Sequence, residues 1–394
     1  MKQFVSISTI WMLGLTPMAQ PQTQSAAKRE GGYWVRTIEG VSVGMPMDRF
    51  RLDTVGNVVL SGDNANNKVS YKLKVRVKAG DAREAEAFFR QFEARARMQS
   101  GWMYFTVTPP RNIAESPELT MSVPRALQQV WIETRGGNVQ VQNLDGELEC
   151  RSGGGRMAVD GIKGRAGIRT GGGDIQVGTV GGAVKCYSGA GVIRVQNVGG
   201  DSWFETAGGE IFVHQANGPL HAATAGGNIR VERAAGTVFA RTAAGLIEVQ
   251  QADGTVTAES SGGAIQVNAA NGVRCDSSGG AIRLRNVGGT LHASTAVGSI
   301  LAELLSGNRI MDSTLSTNAG DITVFISSNL PLTVMARNDS VSSVGRIVSD
   351  FPEIQPRSLQ AGYSPVLAQG ALNGGGPVLR INVIGGTIYL RRQK

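Results

Sequence analysis

A fixed spacing of glycine residues constrains this chain more than any other feature. Across residues 131–305 one glycine recurs every 18 residues, with a single residue dropped near the end of the series. The column consists of Gly137, Gly155, Gly173, Gly191, Gly209, Gly227, Gly245, Gly263, Gly280 and Gly298. A second glycine column lies halfway between these positions, from Gly146 to Gly289. A fixed period of this kind is typical of a solenoid, in which each repeat packs on its neighbours.

Apolar residues alternate after each glycine. Ile193 and Val195 follow one glycine pair, and Val238 and Ala240 follow one of the midway glycines. Alternation at period two indicates strands whose apolar side chains point inward, and glycine suits the turns because it tolerates positive φ. The pattern predicts an all-β fold, a single-stranded parallel β-solenoid with 18-residue coils of two short strands. A meander of antiparallel hairpins would not place the same inward residue in every coil.

A hydroxyl column accompanies the coils. Its members are Thr134, Ser152, Thr170, Ser188, Thr206, Thr224, Thr242, Ser260, Ser277 and Thr295. An exposed threonine array could bind ice or a crystalline polymer. Counting by twos from Val184 through Cys186 to Ser188 instead places the column inward at a corner. We therefore expect a structural ladder whose hydroxyls satisfy buried turn backbone.

The three cysteines, Cys150, Cys186 and Cys275, fall in one inward column. Cys150 and Cys186 are two coils apart, which is roughly 9.6 Å along the stack, whereas a disulfide needs Cα atoms within about 7 Å. We expect free, buried thiols that pack as small hydrophobic side chains. The same separation argues against a metal site made by cysteines.

The chain before the repeats divides into two segments. Residues 1–27 have the features of a secretory signal peptide, with a basic Lys2, an apolar run over residues 4–15 and small-residue exits at Ala19 or residues 25–27. The apolar run is shorter than the ~20 residues of a spanning helix, so we expect no transmembrane segment in the mature chain. Residues 28–130 lack the period and are predicted to be a small α+β region that caps the open edge of the first coil.

This amino-terminal region has its own strand and helix signals. Alternating apolar positions predict strands at residues 69–77, 102–108 and 118–123. Between the first two, Asp81 is placed to cap a helix with an apolar stripe. The stripe consists of Ala85, Phe88, Phe89, Phe92 and Ala96. The stripe could bind a partner, but we favour its burial on the region's own sheet.

The period slips after residue 305 and returns at residues 316–327. A segment rich in Pro and Gly, which begins at Gly345, is predicted to be a loop, and residues 378–390 are predicted to form a final coil. Residues 306–394 are therefore expected to close the solenoid with further coils and this loop.

The charge pattern limits the classes of partner. The net charge is +8 at pH 7, but Lys and Arg are scattered among Asp and Glu. The chain has neither the basic run nor the aromatic motif of nucleic-acid-binding domains. We expect no nucleic-acid partner, and at most a weak attraction to acidic polysaccharide or lipid headgroups.

Catalytic and metal-binding motifs do not emerge from the repeats. Calcium-binding β-rolls need an aspartate in every turn, whereas the position after the glycine pair changes from Asn138 to Arg156 to Val192. The outward positions lack the convergent carboxylates of a glycosidase, although Asp160 or Glu232 could face a neighbour. We predict no enzyme activity, catalytic residue, cofactor or metal. The alternative is a polysaccharide-active lyase or hydrolase on a β-helix scaffold.

An aromatic column is the candidate binding site. Trp203, His221 and Phe239 occupy the same outward position in successive coils, and Tyr187 is placed one coil earlier and one residue along. Aromatic side chains stacked on a flat sheet hold sugar rings in many proteins, and an exposed apolar patch usually marks a contact. Alternatively, the amino-terminal helix or a carboxy-terminal loop covers the column. The expected partner is a glycan or another cell-surface component.

Several short strings carry a family resemblance. They are the repeated T-x-G-G-x-I-x-V units, GDITVFIS at residues 320–327, IVSDFP at residues 347–352 and GGTIYL at residues 385–390. Over roughly residues 120–392 the chain resembles the bacterial putative-adhesin family, a domain of unknown function built from β-strand repeats. The resemblance implies an exported, right-handed β-solenoid that acts as an adhesin, and it transfers no catalytic residue. We therefore predict a non-enzymatic binding or structural module of the cell envelope, located in the periplasm, at the cell surface or outside the cell.

Overall fold

The computed structural model describes residues 22–43, 47–63, 68–110, 115–305, 307, 309–340, 346–360 and 363–393. The chain divides into two compact units, Met1–Gly137 and Asn138–Lys394, and each is treated by itself below. Within the described ranges no helix is long and apolar enough to cross a membrane. Residues 1–21 of the predicted signal peptide lie outside these ranges, and residues 22–24 form a strand.

In its described residues the first unit contains one helix, α1, at Ala82–Phe89. Its strands in the described ranges are β1 Gln22–Gln24, β2 Lys28–Glu30, β3 Tyr33–Val43, β4 Arg49–Thr54, β5 Asn57–Asp63, β6 Lys68–Val77, β7 Glu93–Gln99, β8 Trp102–Thr108, β9 Glu118–Pro124 and β10 Gln129–Thr134. The three strands predicted from the sequence correspond to β6, β8 and β9 and are confirmed.

The described strands of the first unit belong to two sheets. In one of them β3 pairs antiparallel with β6, β6 antiparallel with β9, and β9 parallel with β5. In the other, β7 pairs antiparallel with β8, and β4 lies parallel between β8 and β10. The inward side chains Phe50, Leu73 and Phe105 have no exposed surface. The parallel pairs β4–β8 and β5–β9 show that two solenoid coils already exist in this region, where the sequence has no 18-residue period.

Helix α1 begins where the sequence predicts and ends earlier. The Asp81 side chain accepts a hydrogen bond from the backbone N–H of Glu84 at 2.9 Å, so Asp81 is the N-cap as expected. Ala85 and Phe89 are buried, and the helix packs on β3 and β6 of its own unit, which confirms burial of this face. The helical prediction is wrong at Phe92, which lies beyond the C-cap Arg90, and at Ala96, which belongs to β7 and pairs with β8.

The second unit is built from strands throughout its described part. They are β11 Val139–Leu144, β12 Glu147–Ser152, β13 Met157–Ile162, β14 Ala166–Thr170, β15 Ile175–Val180, β16 Val184–Ser188, β17 Ile193–Val198, β18 Ser202–Thr206, β19 Ile211–Ala216, β20 Leu220–Thr224, β21 Ile229–Ala234, β22 Val238–Thr242, β23 Ile247–Ala252, β24 Val256–Ser260, β25 Ile265–Val267, β26 Val273–Ser277, β27 Ile282–Leu284, β28 Leu291–Val297, β29 Ile300–Leu304, β30 Ser313–Ala319, β31 Ile322–Ser327, β32 Leu332–Asn338, β33 Ile347–Ser349, β34 Pro356–Gln360, β35 Tyr363–Leu372, β36 Val378–Gly385 and β37 Ile388–Gln393.

Parallel stacking of successive coils confirms the β-solenoid. The odd-numbered strands from β11 to β31 pair with one another in one stack, and the even-numbered strands from β12 to β30 pair in the other. Ile211 pairs with Ile193 on one side and with Ile229 on the other, so the register follows the 18-residue period. The inward Ile and Val side chains of these strands are buried along the whole stack.

The hydroxyl column is a buried ladder at one corner, as the sequence predicts. Thr206 Oγ1 donates a hydrogen bond to the carbonyl of Gly191 in the preceding coil at 2.8 Å, and it accepts one from the N–H of Gly209 at 3.3 Å. Ser188 and Thr224 make the same pair of bonds in their own coils. The column therefore satisfies turn backbone, and no exposed threonine array exists in these coils.

Some side chains after the glycine pair form a second ladder. Asp174 Oδ1 accepts a hydrogen bond from the N–H of Val192, and Asn228 Oδ1 accepts one from Leu246, both at 2.9 Å and both one coil later. Asn and Asp at this position therefore bridge successive turns through their short side chains.

The cysteines are free and buried, as predicted. Burial disfavours the thiolate, and it raises the pKa of the Cys275 thiol to about 12. The pKa values of Cys150 and Cys186 are also raised, chiefly by burial. The column therefore consists of inert packing residues.

The carboxy-terminal coil does not lie at the end of the stack. Strand β36 is inserted between β30 and β32, and β37 between β31 and β33. The last residues therefore form a coil, as predicted, but this coil lies between two earlier coils and does not end the stack. The segment predicted as a loop contains β34 and β35, which pair antiparallel with each other, and β35 also covers the edge of β32.

Candidate functional site

The aromatic column lies on the outward face of the even-numbered strands. The register places Trp203 opposite His221 and His221 opposite Phe239, so these three residues share one row as predicted. The predicted position of Tyr187 needs a correction. Lys185 occupies the coil before Trp203 in that row, whereas Tyr187 lies opposite Glu205, two residues further along the strand.

The three rings of the row stack on one another. The centroids of Trp203 and His221 are 3.6 Å apart with planes 5° apart, and those of His221 and Phe239 are 4.6 Å apart with planes 17° apart. Two rings this close and this parallel overlap face to face, so both faces of His221 are covered. The row is therefore an aromatic ladder along the solenoid, and the expected flat platform for sugar rings does not form at His221.

Burial also affects the pKa of the central residue of the ladder. His221 is half-buried, and this burial lowers the pKa of its imidazole, while the nearby Glu205 carboxylate opposes the shift. Its Nδ1 is buried without a hydrogen-bond partner. Trp203 donates from Nε1 to Glu205 Oε2 at 3.4 Å, so Glu205 faces the ladder from the neighbouring row. A neutral imidazole suits this environment.

A groove runs beside the ladder, and we name it the Tyr187 groove. It has a volume of about 450 Å³. The side chains that line it include Tyr187, Glu205, Ala223, Ala225, Arg241 and Ala243. In register, Ala223 lies between Glu205 and Arg241, so one small side chain separates two long charged ones. This sequence of side-chain sizes creates the depression.

Tyr187 gives the groove an aromatic border, and Trp203 lies in the adjacent outward row. Tyr187 is 40% exposed and Trp203 is 45% exposed. The guanidinium carbon of Arg169, one coil earlier, lies 5.1 Å from the centroid of the Tyr187 ring. Arg169 therefore packs against the tyrosine from the coil that precedes it, while the side of Tyr187 toward Glu205 lines the groove. Neither aromatic residue is covered in the described part of the chain.

A smaller polar depression of about 240 Å³ continues along the same face. It brings Glu259 and Asp276 side by side, because β24 and β26 pair in that register. Each carboxylate has an arginine neighbour, at 3.8 Å from Arg241 to Glu259 and at 3.2 Å from Arg274 to Asp276. Sequence reasoning did not single out this pair.

Other titratable groups are dispersed over the solenoid. Glu232 faces His214 of the preceding coil, with Oε2 at 2.5 Å from Nδ1, while Asp160 accepts hydrogen bonds from backbone N–H groups of Gly161 and Thr179. In the described ranges no group of three or more His, Cys, Asp or Glu residues is placed to hold a metal ion.

Sequence reasoning found the ladder but missed the groove. The signal for the groove lies in the outward row two residues after the row of Trp203. Side-chain size changes abruptly along it, from Tyr187 through Glu205 and Ala223 to Arg241. The groove is formed by this row together with the alanines of the corner, so the pattern of one outward row does not reveal it.

No family model matches the chain, and no curated protein matches it. Among solved structures, a "putative cell adhesion protein" from Clostridium sporogenes aligns at 9% identity over 90% of this chain and 99% of that chain, with a TM-score of 0.18. A "putative adhesin" from Bacteroides fragilis aligns at 12% identity over 90% and 96%, with a TM-score of 0.22. A "putative lipid binding protein" from Parabacteroides distasonis aligns at 13% identity over 68% and 96%, with a TM-score of 0.31. The architecture described above is established by this chain's own strand pairing.

Proposed function

We propose that this chain is a non-enzymatic, exported β-solenoid that binds a glycan of the cell envelope in the Tyr187 groove, as an adhesin or an envelope-binding module. The observation that carries the proposal is the groove itself. An exposed tyrosine borders a depression whose floor is alanine and whose sides hold one carboxylate and one guanidinium. Concave sites with an apolar wall and a few directed polar groups are typical binding sites.

The chemistry of the groove fits a sugar. A sugar ring has an apolar C–H face that can pack on Tyr187, and hydroxyls that can hydrogen-bond to Glu205 and Arg241. The aromatic ladder supports the groove from one side through the contact between Trp203 and Glu205. Export is supported by the signal-peptide features of residues 1–27, and the adhesin assignment by the strings at residues 320–327, 347–352 and 385–390.

A glycan array with a groove-filling variant tests this proposal. Ala223→Arg places a long side chain on the groove floor and should abolish binding of any glycan that the wild-type chain retains. Ser316→Arg is the matched control, because Ser316 lies in the same outward row further along the stack. Unchanged binding by Ala223→Arg, or equal loss in both variants, would contradict the proposal. If the wild-type chain bound no glycan on the array, the proposal would fail and a purely structural role would remain.

The adjacent carboxylates favour one alternative function, a polysaccharide-cleaving enzyme. Glu259 and Asp276 lie in register across a polar depression, and glycosidases use paired carboxylates. Each of these carboxylates already forms an ion pair with an arginine, Glu259 with Arg241 and Asp276 with Arg274, and surface ion pairs of this kind favour a structural role. Incubation of retained glycans with the wild-type chain should release neither reducing nor unsaturated ends. Release that disappears in Glu259→Gln would establish the enzyme instead.

A further inference from the structure

The first unit carries a separate surface on which arginine and aromatic side chains alternate. It is the outward face of the sheet formed by β7, β8, β4 and β10, in that order. One row across these four strands contains Arg97, Tyr104, Arg51 and Trp131. The next row places Trp102 opposite Arg49. We name these six residues the arginine–aromatic face.

The guanidinium groups of this face lie on the rings beside them. The guanidinium carbon of Arg97 is 5.0 Å from the centroid of Tyr104, and that of Arg49 is 5.3 Å from Trp102. Arg51 lies 5.2 Å from Trp131. A guanidinium that stacks on a ring is held in a defined orientation and can still donate N–H groups in its own plane, which is the geometry that pairs with a carboxylate.

The charges on this face are only partly compensated. Arg51 forms ion pairs with Asp53 at 3.1 Å and with Glu133 at 3.3 Å. Arg49 and Arg97 form no ion pair with any residue that the structure describes. They flank β8, so the rings of Trp102 and Tyr104 lie between two uncompensated cations.

We propose that the arginine–aromatic face binds an acidic polysaccharide whose carboxylates are carried on uronate sugars. Strand spacing and rise place the Cα atoms of Arg97 and Arg49 roughly 12 Å apart, a span comparable with two sugar rings. The sugars pack against the parts of Trp102 and Tyr104 that the guanidinium groups leave uncovered, and their carboxylates pair with Arg97 and Arg49. Because this surface lies in the first unit, the proposal does not depend on the Tyr187 groove.

Affinity electrophoresis of the full chain through gels that contain polygalacturonate tests the proposal. The wild-type chain should be retarded by polygalacturonate and not by neutral dextran, and the retardation should weaken between about 50 mM and 500 mM NaCl as the charges are screened. Arg49→Gln combined with Arg97→Gln should weaken binding by about tenfold or more, because two charge-assisted contacts are lost. Circular dichroism checks that each variant keeps its β-structure.

Matched variants separate this face from general charge attraction. Arg29→Gln combined with Arg83→Gln removes the same charge from exposed positions on β2 and α1, and it should change binding by less than about twofold. Arg97→Lys keeps the charge but loses the planar fork, so it should weaken binding as well. Tyr104→Ala should also weaken binding, because the sugar loses its aromatic contact.

Three outcomes would overturn the proposal. They are equal loss in the two double variants, binding to single-stranded DNA as tight as to polygalacturonate, and equally tight binding to phosphatidylglycerol vesicles. The groove-filling Ala223→Arg variant should retain polygalacturonate binding, so that failure of the groove hypothesis and failure of this one are distinguishable.

Discussion

The imidazole of His221 lies parallel to the indole of Trp203, with centroids 3.6 Å apart and planes 5° apart. Phe239 covers the opposite face of the imidazole. Because the strands are parallel and in register, each ring meets its equivalent in the next coil, as identical side chains do in stacked cross-β ladders. The ladder therefore contributes to the cohesion of three successive coils, and Trp203 at one end of it donates a hydrogen bond to Glu205, which lines the groove.

Removal of the central ring should lower the stability of the second unit. His221→Ala breaks two stacked pairs, each of which contributes about 0.5–1.5 kcal/mol beyond burial. We expect a lower midpoint in urea unfolding followed by circular dichroism. His292→Ala is the control, because His292 occupies the same row beside Arg274 and Thr314, without an aromatic neighbour in register. Equal shifts in the two variants would show that the ladder adds nothing.

The ladder should also weaken as the pH falls. Burial lowers the pKa of folded His221 below its ordinary value of 6.5, so the unfolded chain takes up the proton at a higher pH than the folded chain does. The stability contribution is complete above the unfolded pKa and is lost as the pH falls toward the folded pKa. The wild-type midpoint should therefore drop relative to that of His221→Phe as the pH falls from about 7.5 to about 5.5. This range spans the ordinary histidine pKa of about 6.5.

A constant difference between wild type and His221→Phe across this range would contradict the prediction. The comparison cancels the contributions of the other ionisable groups, including the His214–Glu232 pair and Glu205, since both chains contain them. His221→Phe keeps a flat ring in the ladder and removes only the titration.

The inward half of each coil follows directly from the sequence. Gly209, Ile211 and Thr206 each have one role that recurs every 18 residues, so the glycine corners, the apolar rows and the hydroxyl ladder could all be predicted. The order in which the last coils stack could not be predicted from the sequence. Strands with the same inward pattern fit beside any other coil, so nothing local requires β36 and β37 to insert before β32 and β33.

The outward half of the coil is less predictable for a different reason. The position of Trp203 in its row follows from the period, but the face-to-face orientation of its ring depends on side-chain rotamers of three coils together. The Tyr187 groove depends on the small side chain of Ala223 between two charged rows. At Phe92, pairing of the following strand with β8 overrides helical spacing.

Loss of one hydroxyl from the buried ladder should be costly. Thr206→Val keeps the shape of the side chain but leaves the Gly191 carbonyl and the Gly209 N–H without their hydroxyl partner. Buried polar groups left unsatisfied cost about 1–3 kcal/mol. The expected result is a lower unfolding midpoint, whereas Thr206→Ser, which retains the hydroxyl, should stay close to wild type. A Thr206→Val chain as stable as Thr206→Ser would show that the ladder bonds contribute little.

Two adjacent glycines should respond in opposite directions to the same substitution. A methyl group at Gly209 would overlap the carbonyl group of Gly191 in the preceding coil and lie 2.8 Å from the nitrogen of Val192. A methyl group at Gly208 would meet its nearest atom, the carbonyl oxygen of Ala190, at 3.9 Å. Gly209→Ala forces the two coils apart and should destabilise the chain by about 1–3 kcal/mol, as overpacking does.

Gly208→Ala should instead be neutral or stabilising by up to about 1 kcal/mol, because alanine reduces the conformational entropy of the unfolded chain without meeting a neighbour. Thermal unfolding of the two variants beside the wild type measures both effects in one experiment. If Gly209→Ala were as stable as Gly208→Ala, close approach of backbone between coils would not be the reason for glycine in this column. The column would then have to be explained by the conformation of each turn alone.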